Sequence, residues 1–211
     1  MDRKVLLFGA TGKTGLHLIE SLKSAKIDFA LFVREQSVAK LEGHQYDIIP
    51  GDVLDPQAVY HAVLLHEFTD IVISIGSQAI KNAGIRAEGT MHIIDALQGN
   101  QKQAKIHVVS ALGVGESASQ LNWLSKLFVK FLLKSVMLDH EKQEKIVEES
   151  GQKFHIVRPV GLKDGPANGN VLLQNQGVLP KNTIQRADVA QYLVDSLLEN
   201  KEGFSSICQG A

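Results

Sequence analysis

The chain has little with which to cross-link itself or hold a metal. Cys208 is the only cysteine among 211 residues. It can form no intramolecular disulfide and no thiolate cage, which fits a reducing compartment and leaves that thiol a buried structural role. The eight histidines are scattered without the spacing of a metal site. A surplus of charge is also missing: lysine plus arginine number 22, aspartate plus glutamate 23, and the net charge is −1. That balance removes the electrostatic case for a nucleic-acid partner or an acidic membrane surface. No apolar run is long enough to cross a bilayer. The most apolar helical stretch, 127–138, is short and broken by Lys130 and Lys134, and reads as a helix facing the core or a second copy. The residues before the first apolar burst make no secretory signal, so the expected location is the cytoplasm. Repeats, low-complexity tracts and linker-like shifts in composition are absent, and one domain over 1–211 is expected.

What the chain does have is a glycine turn close to residue 1. Phe8-Gly9-Ala10-Thr11-Gly12-Lys13-Thr14-Gly15 follows the apolar run Val5-Leu6-Leu7 and opens a stretch in which Leu16, Ile19 and Leu22 recur at helical spacing. This is a strand, a turn and a helix N-terminus. Such an end presents unpaired N–H groups and the positive pole of the helix dipole, and glycines let a phosphate approach the backbone. The spacing is G-x-x-G-x-x-G, a variant of the dinucleotide fingerprint. A Walker A loop needs four residues between its glycines, whereas Gly9 and Gly12 have two, so an ATPase loop is excluded.

Short apolar bursts at 5–8, 29–33, 47–49, 71–75, 106–109 and 154–157 alternate with helical stretches at 15–24, 56–66, 85–98, 121–134, 139–150 and 187–198. Strands that are apolar throughout, joined by helical crossovers, predict an α/β doubly wound parallel sheet, the Rossmann arrangement. Asp188 is placed to cap the last helix or to sit solvated in its first turn. The segment 161–183 is rich in Gly, Asn and Lys without a helical period. It is expected to form short strands and loops as a small substrate-side extension.

In such a sheet the end of the second strand reaches the adenosine ribose, where an acid favours NAD and an arginine favours the 2′-phosphate of NADP. Arg34 stands there, and its planar fork suits a phosphate. Glu35, one residue on, could instead take the ribose hydroxyls. NADP(H) is therefore the expected cofactor, with NAD(H) the alternative. After the third strand, Asp52 and Val53 offer a carboxylate and backbone groups to an adenine, or Asp52 is a turn acid. After the fourth, Ile75-Gly76-Ser77 gives another close approach on the ribose and pyrophosphate path. Ser110 ends the fifth strand where a nicotinamide should lie, or caps a turn.

These segments, with Ser110-Ala111, Ile156-Val157-Arg158-Pro159, the 139–144 run Asp-His-Glu-Lys-Gln-Glu and 185–190, resemble the atypical short-chain dehydrogenase/reductase family over nearly the whole chain. Within it they are similar to the NADPH-dependent flavin reductase/biliverdin reductase group and its NmrA-like relatives. The resemblance implies that Gly9, Thr11, Gly12, Lys13, Thr14 and Gly15 hold the pyrophosphate, Arg34 the 2′-phosphate, and Asp52 and Val53 the adenine. It places Ile75, Gly76 and Pro159 along the cofactor and Ser110 at the reacting end.

Two departures bear on chemistry. Active short-chain dehydrogenases use a Tyr-x-x-x-Lys pair, and none of Tyr46, Tyr60 and Tyr192 has a lysine four residues later. The family pattern puts that pair at Val136 and His140, of which only His140 can move a proton; a helical histidine among charges is expected to be solvated. Where the flavin/biliverdin reductases carry a histidine after Arg158-Pro159, this chain has Val160. What survives is hydride delivery to a flat conjugated acceptor (flavin, quinone or tetrapyrrole), which needs no such pair. Trp123, Phe128 and Phe131 could wall such a substrate, although Phe128 and Phe131 are expected to pack into the core. The alternative is a non-catalytic, NmrA-like sensor that binds NADP(H). A small planar substrate and a monomer or homodimer complete the expectation.

Overall fold

The computed structural model describes residues 3–41, 45–76 and 84–210. Ten strands are found among them: β1 Lys4–Phe8, β2 Asp28–Val33, β3 Asp47–Pro50, β4 Asp70–Ile73, β5 Lys105–Val109, β6 Phe154–Pro159, β7 Gly161–Lys163, β8 Val171–Leu173, β9 Thr183–Gln185 and β10 Gly203–Gln209. The helices are α1 Lys13–Ser24, α2 Pro56–Leu64, α3 Ile85–Gly99, α4 Trp123–Leu132, α5 Lys134–Glu149 and α6 Arg186–Leu198. Eight strands form one sheet in the order β3-β2-β1-β4-β5-β6-β10-β8. All its neighbours are parallel except β10 and β8, which run antiparallel. The expected doubly wound α/β sheet is what the chain forms.

The apolar bursts are continuous because both faces of the sheet are covered. Along β1, Val5 and Leu7 enter one core with α1 and α6, while Leu6 and Phe8 enter the other with α2 and α3. Every residue of β1 from Val5 to Phe8 is buried, so only Lys4 at its start is left to be polar. Local signals set the helix ends. Asp55 caps α2 by accepting from the N–H groups of Gln57 and Ala58 at 2.9 and 3.2 Å, with Pro56 following it. Asn122 caps α4 through Ser125 N–H at 2.8 Å.

Local expectations are corrected at three places. β4 stops at Ile73, so Ile75 is outside the strand: Ser74 still donates to the Phe8 carbonyl at 2.9 Å, and the chain then leaves the sheet. The helix expected over 121–134 ends at Leu132, and α5 starts at Lys134 rather than 139, with the single residue Leu133 at φ −116° between them. The 127–138 stretch does not face the core, and Phe128 and Phe131 are exposed with Trp123. The 161–183 segment does form short strands and loops: it holds β7 and β8, and β7 pairs with β9 as a separate two-stranded sheet.

Candidate active site

The strand order reverses between β1 and β4, where the chain leaves β1 for one side of the sheet and returns on the other. Ligands of open α/β sheets bind at the carboxyl end of such a point. Here that end carries Gly9 to Gly15. Gly9 has φ +83°, and a Cβ on it would overlap the Ser74 carbonyl at the end of β4. A Cβ on Gly15 would overlap the carbonyls of Gly9 and Ala10. Both glycines let α1 start hard against the strand ends. Gly12 donates to the Gly9 carbonyl at 3.0 Å and forms the N-cap without a side-chain cap, and the first turn of α1 holds no acid. The leading N–H groups of the helix are open to an anion. Thr14 and Gly15 are buried, and Gly12 and Lys13 are exposed.

Lys13 is not idle. Its Nζ meets Asp164 Oδ2 at 2.7 Å, and Arg186 at the start of α6 reaches Asp164 Oδ1 at 2.5 Å. Asp164 therefore ties the glycine turn to the chain after β7. The two cations and the bond to Lys13 hold its carboxyl below the usual aspartate range, the bond to Lys13 contributing most.

Arg34 is exposed in the turn after β2, and among the described residues its side chain makes no hydrogen bond or ion pair. Glu35 beside it opens a 3-10 turn, Glu35–Leu41, and is exposed as well. Gly51 lies so close to the Phe32 ring that a Cβ would come within 2.5 Å of it. Asp52 accepts from Leu54 N–H at 3.0 Å, the bond of a turn acid. Val53 is held from two sides: its carbonyl meets His92 Nδ1 at 2.9 Å, and Gly89 of α3 leaves room for its methyls. Ile75 is buried and Gly76 exposed; Ser77 lies outside the described residues.

At the end of β5 the buried Ser110 hydroxyl donates to Glu144 Oε1 at 2.5 Å. Glu144, on α5, is gripped from the other side by Arg158 of β6, through Nε at 3.0 Å and Nη2 at 2.7 Å. Arg158 Nη1 also reaches Glu116 at 2.5 Å, and its guanidinium stacks 4.0 Å from the Phe204 ring centroid. Burial opposes the Arg158 charge, but its bonds to Glu144 and Glu116 outweigh that and raise its pKa above the usual arginine value. The same bond holds Glu116 below its ordinary range, while burial and then Glu144 and Glu116 push Glu148 up. A cleft of about 450 Å³ opens beside these groups. A larger one of about 720 Å³, around Arg3, Asp70 and Lys105, lies at the opposite edge, far from the glycine turn.

His140 departs from expectation. It is buried, not solvated, and burial, then the Arg86 charge, push its pKa down to about 3. It carries no imidazolium proton at neutral pH. Val136 is half-buried. Pro159 and Val160 are buried at the end of β6, where the Pro159 carbonyl accepts from Leu112 N–H at 2.8 Å. Asp188 does not cap α6: its carboxylate accepts from Asn168 and Gly169 N–H at 3.0 and 2.9 Å, and the N-cap is Gln185. Among the described residues no group of His, Cys, Asp or Glu could hold a metal ion. Sequence reasoning gave no role to Glu144 and Arg158; the signal was an arginine inside an apolar strand, which requires a buried counter-charge.

A family model described as NAD(P)H-binding matches residues 9–200. The chain belongs to that family. Membership of the NAD(P)H-binding family agrees with the resemblance to atypical short-chain dehydrogenases/reductases of NmrA-like type. A chloroplastic protein of Arabidopsis thaliana, itself uncharacterised, is 26% identical over 97% of this chain and 75% of its own length. The anaerobilin reductase ChuY of Escherichia coli shares the fold with a TM-score of 0.79 at 22% identity, covering 98% of this chain and 97% of its own. A short-chain dehydrogenase/reductase of Veillonella parvula, solved with NADP, has a TM-score of 0.79 at 16% identity over 100% of this chain and 95% of its own. The glycine turn fits a dinucleotide, because Gly9 and Gly15 let α1 start hard against the strand ends and its first turn has neither a side-chain cap nor an acid to oppose a phosphate.

Proposed function

We propose that the protein is an NADPH-dependent reductase of a flat conjugated acceptor of flavin, quinone or tetrapyrrole type. The bound cofactor would supply the hydride. One observation carries the reading: an open helix N-terminus without acids stands next to an arginine that has no protein partner among the described residues. Gly9, Thr11, Gly12, Lys13, Thr14 and Gly15 would hold the pyrophosphate, Arg34 the 2′-phosphate, and Asp52 and Val53 the adenine end. Ile75, Gly76 and Pro159 would line the path to Ser110.

Ser110 has committed its hydroxyl hydrogen to Glu144, so its Oγ offers lone pairs alone. In this reading it accepts from an amide or ring N–H and orients it, and the acceptor's proton comes from water. A buried neutral His140 and a valine at 136 supply no protonated donor, which suits an acceptor that needs none. The fold shared with ChuY, an anaerobilin reductase, supports the reductase class. The expected setting is the cytoplasm, as a monomer or homodimer.

The test is NADPH oxidation in the presence of FMN, riboflavin, quinones and biliverdin in turn, with turnover expected on at least one. The same absence of a donor favours a second reading, an NADP(H)-binding sensor. Tight NADPH binding with no turnover on any acceptor would replace the enzyme by the sensor. Arg34→Ala should weaken NADPH binding by roughly 10- to 100-fold, the worth of a charge-assisted hydrogen bond, and leave NADH nearly unchanged. Equal losses for both nucleotides would show that Arg34 does not meet the 2′-phosphate.

A further inference from the structure

The overall balance of charge is an average, and α4 departs from it. From residue 122 to 138 the chain has Lys126, Lys130 and Lys134 and no aspartate or glutamate. Lys126 and Lys134 are exposed. On the same helix Trp123, Leu124, Leu127, Phe128, Phe131 and Leu132 are all exposed, Trp123 by 74% and Phe131 by 72%. At 3.6 residues per turn these six fall on about half of the helix circumference, the positions of Lys126 and Lys130 border that arc on one side, and Lys134 follows at the start of α5. Val129 and Leu133, half-buried, form the side turned to the protein. α4 packs mainly on α5. Its start is anchored by Asn122, which donates to Asn182 at 2.8 Å, next to a loop that exposes Val178.

A soluble surface rarely carries so continuous an apolar face without something that covers it. Two occupants differ in charge. A second copy joined by a two-fold axis would set this face against itself, with lysines on both sides and no acid in the segment to pair with them. A lipid surface of negative charge complements it: tryptophan, phenylalanine and leucine enter the headgroup boundary while the lysines meet the phosphates. We propose that α4 docks the protein onto an anionic bilayer surface, lying in the interface without crossing it. No helix among the described residues is long and apolar enough to span a membrane. This inference stands apart from the cofactor reading, and neither falls with the other.

Trp123 is the only tryptophan of the chain and sits on the proposed contact, so it reports on the contact directly. The full-length protein should co-sediment with phosphatidylcholine vesicles containing about 30% phosphatidylglycerol, with a blue shift of Trp123 emission that high salt reduces. Phosphatidylcholine alone should bind it weakly. Phe128→Glu changes an exposed residue, should leave the far-UV circular dichroism and the unfolding transition unchanged, and should weaken partitioning by about tenfold or more. Lys126→Glu with Lys134→Glu should remove the preference for the anionic lipid and its salt dependence. Sedimentation equilibrium on the same samples gives the other outcomes. A dimer whose Trp123 is shielded without vesicles, and no vesicle binding, would overturn the proposal in favour of a second copy. Vesicle binding unchanged by Phe128→Glu would overturn it too, since another surface would then be responsible.

Discussion

Arg158 is a cation with 3% of its side chain exposed, in a strand whose other side chains are nearly all apolar or neutral. Its charge is tolerable only because Glu144, itself 4% exposed, takes two of its hydrogen bonds. Removing one member of such a pair strands the other. Glu144→Ala should therefore destabilise the fold by roughly 3 kcal/mol, although Glu116 continues to hold one side of the guanidinium. The double change Glu144→Gln with Arg158→Met should recover much of that loss, because the buried charge leaves with its partner. Urea unfolding of the single and double variants measures both. A single-variant loss below about 1 kcal/mol would mean that Glu116 suffices. Arg158 could be seen in the sequence as an oddity, but Glu144 could not: it is one of three acids in the 139–144 run, and only the way α5 lies on the sheet turns it inward. His140 misled for the same reason. Its neighbours in sequence are charged, yet its neighbours in space bury it.

At the scale of elements, the glycine turn was the most legible part, since every constraint on it is local: a strand, three glycines at fixed spacing, and a helix start. β10 was the least legible. Phe204-Ser205-Ser206-Ile207-Cys208 lacks the unbroken apolar run of β1, but Ser205, Ser206, Ile207 and Cys208 are all buried in the sheet. Its serines are satisfied by distant partners that sequence does not reveal, His155 for Ser205 at 2.9 Å and Gln120 for Ser206 at 2.7 Å. α4 was readable as an apolar helix, but not which way its face turned. The contact between α1 and the chain after β7 also passes over the site. Asp164 holds Lys13 and Arg186 together on the surface where the pyrophosphate is expected, so a bound dinucleotide would compete with it for Lys13. Asp164→Asn should raise NADPH affinity by about two- to fivefold, the modest effect of exposed ion pairs. Isothermal titration calorimetry of the two proteins decides this, and an unchanged or weaker affinity would show that Asp164 helps to build the site.

For the molecule as a whole, burial of neutral histidines sets the response to acid. His140 and His155 have pKa values pushed down to about 3, in both cases by burial first. His140 also feels the Arg86 charge, and His155 feels His107, Lys105 and Lys201. Unfolding would return each to an ordinary value near 6.5. Below that value the unfolded chain takes up protons that the native protein refuses, so stability falls as the pH falls, and each histidine contributes up to about 1.4 kcal/mol per pH unit. The urea midpoint should thus drop between about pH 7 and pH 5, earlier than carboxylates alone would cause. His155→Gln should flatten that decline by the share of one histidine. An identical slope in the variant would mean that His155 takes up its proton in the native protein as readily as in the unfolded chain.

The sheet order has a consequence for how the chain can assemble. β8 is attached to the sheet through β10 alone, although it comes thirty residues earlier in the chain (171 to 173, against 203 to 209). The neighbouring loop depends on the same late strand, since Gly210 donates to Asn170 and the Gln209 side chain bridges Asn168, Asn170 and Asp188. Until β10 is laid against β6, the earlier segment has no edge on which to settle. The loop and strand at 168–173, close in sequence to the segment that meets the glycine turn, are therefore held in the sheet only through a strand that lies far along the chain, so a change that weakens β10 should loosen them as well.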